Sequence, residues 1–445
     1  MTRLMRASAL FPLCLAMLVV AALPARALVD IQKVTNPGGL DAWLVEDHSL
    51  PFVVLELRFL GGASLDSPDK RGAVNLMTGL LEEGSGARDA RAFARAKDAI
   101  AAKFSYDTTD DTVSVSARFL TDTQDKAVAL LRDSLVAPRF DEAAIERVRA
   151  QVLSVIRSHR KDPDRIARDA FAEQVFPDHP YGRPDEGTAE SVRALTRADI
   201  VAAHQAALAR DRVVVSAAGD ITPERLSALL DTLLDDLPAT GARMPGRAET
   251  AFPGGVKVVD YDTPQSKVIF GQPAPARHDP DFFAAYILNH IIGGGGFQSR
   301  LMTELREKRG LTYGVYSYIA NRRNADLWIG SVASANERVT EAIELIRKEW
   351  AGILKDGVTE KQLQDAKTYI TGAYALRFDS NRSIADITAG MQVKGMSADY
   401  IGNRNARMNA VTLADVNRVA RKWLDPDKLT FVVVGQPAGL ASTLN

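Results

Sequence analysis

Cysteine is nearly absent from this chain of 445 residues, and its single copy, Cys14, lies in an N-terminal apolar stretch. Beyond that stretch, neither disulfide bonds nor thiolate metal sites are available. Charge of one sign is equally scarce, because 55 basic and 56 acidic residues leave a net charge of -1. Nucleic-acid binding requires concentrated positive charge, so this balance argues against a nucleic-acid partner.

Long apolar runs are also scarce, and the clearest, from about Ala9 to Leu23, stands at the N terminus. Arg3 and Arg6 precede this run, and Ala25-Arg26-Ala27 supplies the small-x-small pattern after which signal peptidase cuts. The run is short for a membrane span. We therefore predict a signal peptide over residues 1–27, cleaved near Ala27, and a periplasmic protein that no membrane anchor retains.

The remaining chain mixes short alternating segments with long amphipathic ones. Phe52–Phe59 and Thr112–Phe119 predict strands, because apolar and polar side chains alternate. Asp141–His159 predicts a helix. Its apolar face comprises Ile145, Val148, Val152 and Ile156.

An internal repeat divides the mature chain in two. The segment Ala194–Ile200 reappears 216 residues later as Ala410–Val416, and each copy has a threonine suited to a helix N-cap. The strand pattern Val213–Gly219 reappears at the same offset and ends at Gly435. Two matches in register indicate a duplicated α+β domain.

The predicted domain boundaries follow from the stretch between the two copies. Residues 237–255 are rich in proline, glycine and polar side chains, which is typical of a linker. We therefore predict an N-terminal domain over 28–236 and a C-terminal domain over 256–445.

The most specific segment of the second half contains a glycine run that permits positive φ and close backbone approach. A phosphate-binding loop is one interpretation of such a run, but neither Gly-Lys-Ser/Thr nor Gly-x-Gly-x-x-Gly occurs there. A flexible turn beside a surface arginine and a half-buried tyrosine is another. The residues in question are Gly293, Gly294, Gly295, Gly296, Phe297, Arg306 and Tyr313.

The spacing within this segment predicts a short helix that ends near Gly310 and a strand that begins at Thr312. Arg306 would then lie near the helix end and Tyr313 on the strand. The side chains of Arg306 and Tyr313 could then point towards the same region of the surface.

The segment resembles the pitrilysin/insulinase metallopeptidase family, especially the short-subunit branch that includes the mitochondrial processing peptidases. The resemblance rests on Gly293–Leu301 and Leu305–Val315, and in the first half on Gly61–Ala73. It extends over nearly the whole mature chain. It implies two homologous domains, each an antiparallel sheet packed against helices, arranged as half of a clamshell around a peptide.

The chain departs from the family at the zinc motif. The family places His-x-x-Glu-His on one helix and a further Glu about 75 residues downstream, which together hold zinc and activate water. Here the aligned residues are Asn75-Leu76-Met77-Thr78-Gly79, and the downstream stretch around Val155 contains no carboxylate. None of the six histidines lies three to five residues from another. We therefore predict degenerate metal positions at Asn75, Thr78, Gly79 and Val155.

The family relationship implies a division of labour between subunits. One half carries zinc, and the other contributes an arginine and a tyrosine that orient the peptide and stabilise developing oxyanion charge. Arg306 and Tyr313 match those positions, and Gly293–Gly296 with Phe297 match a substrate-binding loop. The resemblance thus implies a noncatalytic, substrate-binding subunit without a cofactor. It would be inactive alone, and it would form a heterodimer with a homologous His-x-x-Glu-His subunit that holds the zinc.

Two other functions stay open from the sequence. One is a structural or peptide-holding protein of the same fold, with a homodimer as an alternative assembly. The other is an autonomous hydrolase that uses Ser64 or Ser85 near Asp66, although no Gly-x-Ser-x-Gly elbow supports it.

Overall fold

A computed structural model of the chain describes residues 29–444, so the predicted signal peptide lies outside the described residues. The first half of this range forms one main sheet and one small ribbon. Its strands are β1 (Gln32–Thr35), β2 (Asp41–Glu46), β3 (Phe52–Leu60), β4 (Gly84–Ser85), β5 (Arg88–Asp89), β6 (Lys103–Thr108), β7 (Thr112–Leu120) and β8 (Val213–Gly219). The sheet order is β1-β2-β8-β3-β7-β6, and β4 pairs with β5.

The second half forms a five-stranded sheet of matching topology. Its strands are β9 (Gly255–Asp260), β10 (Gln265–Pro273), β11 (Val315–Asn321), β12 (Asp326–Ala335) and β13 (Thr430–Gly435). The sheet order is β11-β12-β10-β13-β9. In each sheet one pair is parallel, β2 with β8 and β9 with β13, and the other pairs are antiparallel. The predicted α+β class with two similar halves is confirmed.

Helices cover both sheets. In the first half they are α1 (Ala73–Gly79), α2 (Ala90–Ala99), α3 (Gln124–Val136), α4 (Glu142–His159), α5 (Pro163–Val175), α6 (Ala189–Ala194), α7 (Arg197–Ala207) and α8 (Pro223–Leu234). In the second half they are α9 (Phe282–Asn289), α10 (Val339–Asp356), α11 (Glu360–Gly372), α12 (Asn381–Val393), α13 (Tyr400–Ala410) and α14 (Leu413–Trp423). Two π-helical segments, His290–Gly294 and Met302–Glu307, follow α9.

The local predictions agree closely with these elements. Strands β3 and β7 each extend one residue beyond the predicted segments, and α4 begins after its N-cap, Asp141. Of the apolar face predicted for α4, Ile145 and Val148 are buried in the first core, while Ile156 packs with Ala189 and Val192 in a separate cluster. Residues 238–254 contain neither helix nor strand. Across residues 29–444, no helix is both long and apolar enough to cross a membrane.

The repeated threonines each form a capping box. Thr196 accepts a hydrogen bond from the Asp199 backbone at 3.3 Å, and Asp199 accepts one from the Thr196 backbone at 2.8 Å. Thr412 and Asp415 repeat this exchange at 3.1 and 2.9 Å. Both pairs satisfy backbone N–H groups that a helix start leaves free.

Replacing either cap with alanine is expected to destabilise the protein by about 1 kcal/mol, because one N-terminal amide loses its acceptor. Thr196→Ala and Thr412→Ala combined should cost about 2 kcal/mol, since distant sites add. Urea unfolding of the single and double variants measures this. The control replacements Thr196→Ser and Thr412→Ser keep the acceptor and should change little. A double alanine variant with the same free energy of unfolding as the parent chain would contradict the capping role.

The two halves exchange equivalent helices. Helix α5 packs on β10 and β13 of the second sheet, where Phe171 and Val175 form a core with Leu327 and Val432. Helix α12 lies at the corresponding position of the repeat and packs on β2, β3 and β8 of the first sheet. Gly271 leaves the space for the Phe171 ring, because a Cβ there would lie 2.8 Å from its Cζ. The exchange binds the halves together across both sheets.

Candidate functional site

On helix α1, where the resemblance places the family's metal motif, the hydroxyl of Thr78 is already satisfied internally. Thr78 is 3% exposed. Its hydroxyl donates to the Val74 carbonyl at 2.8 Å and accepts from the Thr108 hydroxyl at 2.6 Å. Asn75 is half-buried and Gly79 is exposed. An amide, a hydroxyl and a glycine at these positions do not form a zinc ligand set.

The downstream metal position is equally unsuited to zinc. Val155 is on α4, with an alkyl side chain that is 46% exposed. A Cβ at Gly79 would lie 3.0 Å from Val148 Cγ1, so a larger residue there requires the Val148 side chain to move slightly. Among residues 29–444, no group of three or more His, Cys, Asp or Glu side chains is placed to hold a metal. The residues of this site do not fit zinc.

Asp66 anchors the start of α1. Its carboxylate accepts hydrogen bonds from the backbone of Gly72 at 2.8 Å and of Val74 at 3.0 Å. Burial raises the pKa of Asp66 to about 6, although these hydrogen bonds and the Arg71 charge oppose that shift. Ser64, the nearby serine considered as a nucleophile, is buried and donates to the Asp110 carbonyl at 2.6 Å. Both residues therefore serve local structure.

The glycine run of the second half is largely a packing feature. Gly293 is buried, and a Cβ there would lie 2.5 Å from Ser317 Oγ on β11. Side chains at Gly294 and Gly295 would come within 2.8 Å of Asn289 Nδ2 and the His290 carbonyl, respectively. Only Gly296 has a left-handed φ, of 56°, and open space around it. Three of the glycines thus permit close contact, and the fourth permits the turn.

The structure brings Arg306 and Phe297 together. The Arg306 guanidinium carbon lies 4.5 Å from the centre of the Phe297 ring, which is 62% exposed. Tyr313 is 86% exposed and has no hydrogen bond or ring contact with Arg306 within the described residues. Over the same range, no carboxylate forms an ion pair with Arg306. Arg306 and Tyr313 are therefore two accessible hydrogen-bond donors on one surface segment.

The strand after this segment starts later than predicted. The helical segment ends at Glu307, and β11 begins at Val315 rather than Thr312. The reason is a local turn, in which the Thr312 hydroxyl donates to the Gly314 carbonyl at 2.8 Å and accepts from the Gly314 backbone at 3.1 Å. This turn places Tyr313 on a loop instead of a strand.

A groove that sequence reasoning missed continues from this loop. It has a volume of about 490 Å³ and lies between α5 and the face of β10, β11 and β12. Tyr316 and Tyr318 of β11 line it, exposed and stacked with centroids 6.4 Å apart. Strand β11 is also the edge of its sheet. The alternation Val315-Tyr316-Ser317-Tyr318, buried and exposed in turn, was the available signal.

Two equivalent hairpin turns meet at the rim of this groove. Arg322, in the β11–β12 turn, pairs with Asp110, in the β6–β7 turn, and lies 3.6 Å from the centre of the Tyr181 ring. The Arg323 backbone donates to Asp111 at 3.1 Å. The acidic β6–β7 turn of the first half therefore binds the basic β11–β12 turn of the second half beside the groove.

Two family models match the chain. Residues 42–189 match the insulinase peptidase family, M16, and residues 194–370 match the peptidase M16 inactive domain. The fold defines a two-domain chain of the metallopeptidase type. The chain belongs to the M16 peptidase family.

Similar proteins include members described as inactive and members described as proteases. A non-peptidase homolog, YmxG, of Helicobacter pylori is 26% identical over 87% of this chain and 90% of its own length. An uncharacterized zinc protease of Streptomyces coelicolor is 27% identical over 88% of this chain and 87% of its own length. A solved peptidase M16 inactive domain from Pseudomonas fluorescens superposes with a TM-score of 0.86 at 28% identity, covering 94% of this chain and 100% of that one.

Proposed function

We propose that this chain is the noncatalytic, substrate-binding subunit of a periplasmic heterodimeric zinc peptidase. The observation that carries the proposal is the contrast between the two halves. Helix α1 has no metal ligands, while the second half keeps Arg306 half-buried and Tyr313 exposed beside an open groove, and neither side chain has an ion pair or a hydrogen bond within the described residues. A chain that serves only as a scaffold has no need to leave these donors free.

The partner subunit would hold the zinc and activate water, and this chain would position the peptide. Strand β11 is the edge strand of its sheet, where Asn289 Nδ2 already donates to the Ser317 carbonyl at 3.1 Å. An extended peptide would join the remaining backbone groups of this edge by hydrogen bonds. Tyr316 and Tyr318 offer exposed aromatic surface for alternate side chains of that peptide.

Arg306 and Tyr313 would act on the scissile carbonyl. A guanidinium and a phenol hydroxyl both donate hydrogen bonds, and donors placed where oxyanion charge develops stabilise the transition state. Phe297 would hold the guanidinium by a cation–π contact while leaving its N–H groups free. Gly296 would allow the adjacent turn to adjust to the peptide.

Reconstitution from two purified chains tests the proposal. The mature chain is mixed with a His-x-x-Glu-His relative from the same organism, and cleavage of a quenched-fluorescence peptide library is followed. We expect neither chain alone to cleave, the mixture to cleave as a one-to-one complex, and zinc to reside in the partner. A partner that is fully active alone, or zinc bound stoichiometrically to this chain, would overturn the proposal.

The second candidate is a structural or peptide-holding protein of the same fold. Its support is the description of the Helicobacter pylori relative as a non-peptidase homolog. It predicts peptide binding to the isolated chain without any cleavage in the mixture. The same reconstitution therefore separates the two functions.

A further inference from the structure

A second cavity, of about 250 Å³, shares no lining residue with the groove or with the Arg306–Tyr313 segment. Helices α9, α12 and α13 and the turn Ala375–Arg377 surround it. Four basic side chains line its walls. They are Arg277, Arg377, Lys394 and Arg404.

These four cations lack acidic partners. Within the described residues, none of them forms an ion pair. Asp386 is the one carboxylate that lines the cavity, and it pairs with Arg58 of the first sheet at 2.7 Å while its side chain stays 64% exposed. The cavity therefore holds more positive charge than its own walls balance.

Aromatic rings hold the two inner cations in place. The Arg277 guanidinium carbon lies 4.3 Å from the centre of the Phe282 ring, and Arg277 donates to the Tyr400 hydroxyl at 2.6 Å. Arg404 is 5% exposed, with its guanidinium carbon 4.1 Å from the centre of the Tyr374 ring. These contacts orient both groups but leave their charge uncompensated.

Desolvation and the neighbouring positive charges shift the pKa of two of these groups. Burial, together with the nearby Arg404, lowers the pKa of Arg277. Partial desolvation of its ammonium group and the charges of Arg277 and Arg377 lower the pKa of Lys394, although the side chain as a whole is exposed. Gathering cations without an anion is costly, and a bound anion removes that cost.

We propose that this cavity binds a small organic phosphate. A phosphate dianion matches several guanidinium and ammonium donors in charge and geometry, whereas a single carboxylate leaves most of the positive charge unbalanced. Met391, Met396 and Met408 supply an adaptable apolar wall for the organic part. The exposed Arg377 and Lys394 mark the mouth of the cavity, and the buried Arg404 marks its floor.

Calorimetric titration of the mature chain at low salt tests the proposal, with phenyl phosphate as the probe. We expect saturable one-to-one binding that weakens as salt rises. Arg377→Gln and Lys394→Gln should each reduce the affinity about tenfold or more, because each removes a charge-assisted hydrogen bond. Both side chains are exposed, so both variants should fold.

A blocking variant and a control make the test specific. Gly390 of α12 lines the cavity, and a Cβ there would meet no heavy atom within 4 Å. Gly390→Leu should therefore fold, fill the cavity and abolish binding. Arg421→Gln makes the same charge change on the exposed side of α14 and should bind like the parent chain.

Four outcomes would contradict the proposal. The first is the absence of phenyl phosphate binding, and the second is binding that survives Gly390→Leu and the two glutamine variants. The third is equal affinity for benzoate or succinate, which would reject a phosphate. Inorganic phosphate binding as tightly as phenyl phosphate would likewise reject the organic part of the ligand.

Discussion

Replacing Arg306 with alanine in the reconstituted pair is expected to lower kcat/KM for peptide cleavage by about 10²-fold or more. This expectation follows from the proposed function, because one donor to the developing oxyanion is lost, and such donors contribute about 10² to 10³ in kcat. The decrease should fall mainly on kcat, since the charge on oxygen grows in the transition state. Steady-state kinetics with a defined peptide gives the split.

Matched variants separate this role from a structural one. Arg309 lies three residues further along the same segment, but its guanidinium is bound to Glu304 at 2.7 Å. Arg309→Ala should therefore leave the activity within about twofold, because a partly exposed ion pair contributes little. Tyr313→Phe removes only a hydroxyl from an exposed ring and should lower kcat without affecting assembly. Unchanged kinetics in both Arg306→Ala and Tyr313→Phe, with the complex intact on gel filtration, would exclude the proposed mechanism.

Replacing Arg71 with methionine is expected to destabilise the protein by about 3 kcal/mol or more. Arg71 is 3% exposed and donates to the carbonyls of Pro184 and Arg183, both at 2.9 Å, and to the Asp110 carboxylate at 2.7 Å. Methionine fills a similar space but leaves the two carbonyls without this donor and Asp110 with Arg322 alone, and breaking a buried ion pair is costly. The urea midpoint measures the loss.

The size of this effect depends on the planar guanidinium, and that dependence supplies the controls. Arg71→Lys keeps the charge but cannot reach acceptors on several sides, so it should recover only part of the stability. Arg91→Met makes the same replacement at an exposed position and should stay within about 0.5 kcal/mol of the parent. An Arg71→Met chain as stable as the Arg91→Met chain would contradict the assignment.

Arg71 belongs to a sequence motif that indicates the family but does not reveal the residue's structural role. The segment Gly61–Ala73 indicated the family through its residue types. Its arginine proves to be structural, since it ties the start of α1 to the loop around Pro184 and to the Asp110 turn. Asp110, in the β6–β7 turn, also forms an ion pair with Arg322 of the second half. Asp110 and Pro184 lie 39 and 113 residues from Arg71 along the chain, so no local sequence pattern around Arg71 predicts that it contacts them.

The helix exchange was equally outside the reach of the sequence. Periodicity shows that α5 and α12 each have an apolar face, but any sheet face of suitable size can cover it. Packing decides the choice. Phe171 lies over Gly271, and Ala385 joins Val54 and Ala218 in a small core on the first sheet.

Much of the local structure was determined by the amino-acid sequence alone. Alternation defined β3 and β7, the 216-residue repeat defined two similar halves, and both capping threonines proved to start helices. The prediction of degenerate metal positions at Asn75, Thr78, Gly79 and Val155 likewise needed only the sequence, because ligand chemistry depends on residue identity. These features depend on residue types and on residues close together in the chain, so the sequence is sufficient to predict them.

The tertiary structure alone decided how the sites are assembled. It placed Phe297 beneath Arg306, delayed β11 beyond Tyr313, and opened the groove along Tyr316 and Tyr318. It also gathered four cations from separate elements into one cavity, where none of them forms an ion pair within residues 29–444. The physical reason is the same in each case. Contacts between distant segments arise from packing and charge in three dimensions, which no local period or spacing records.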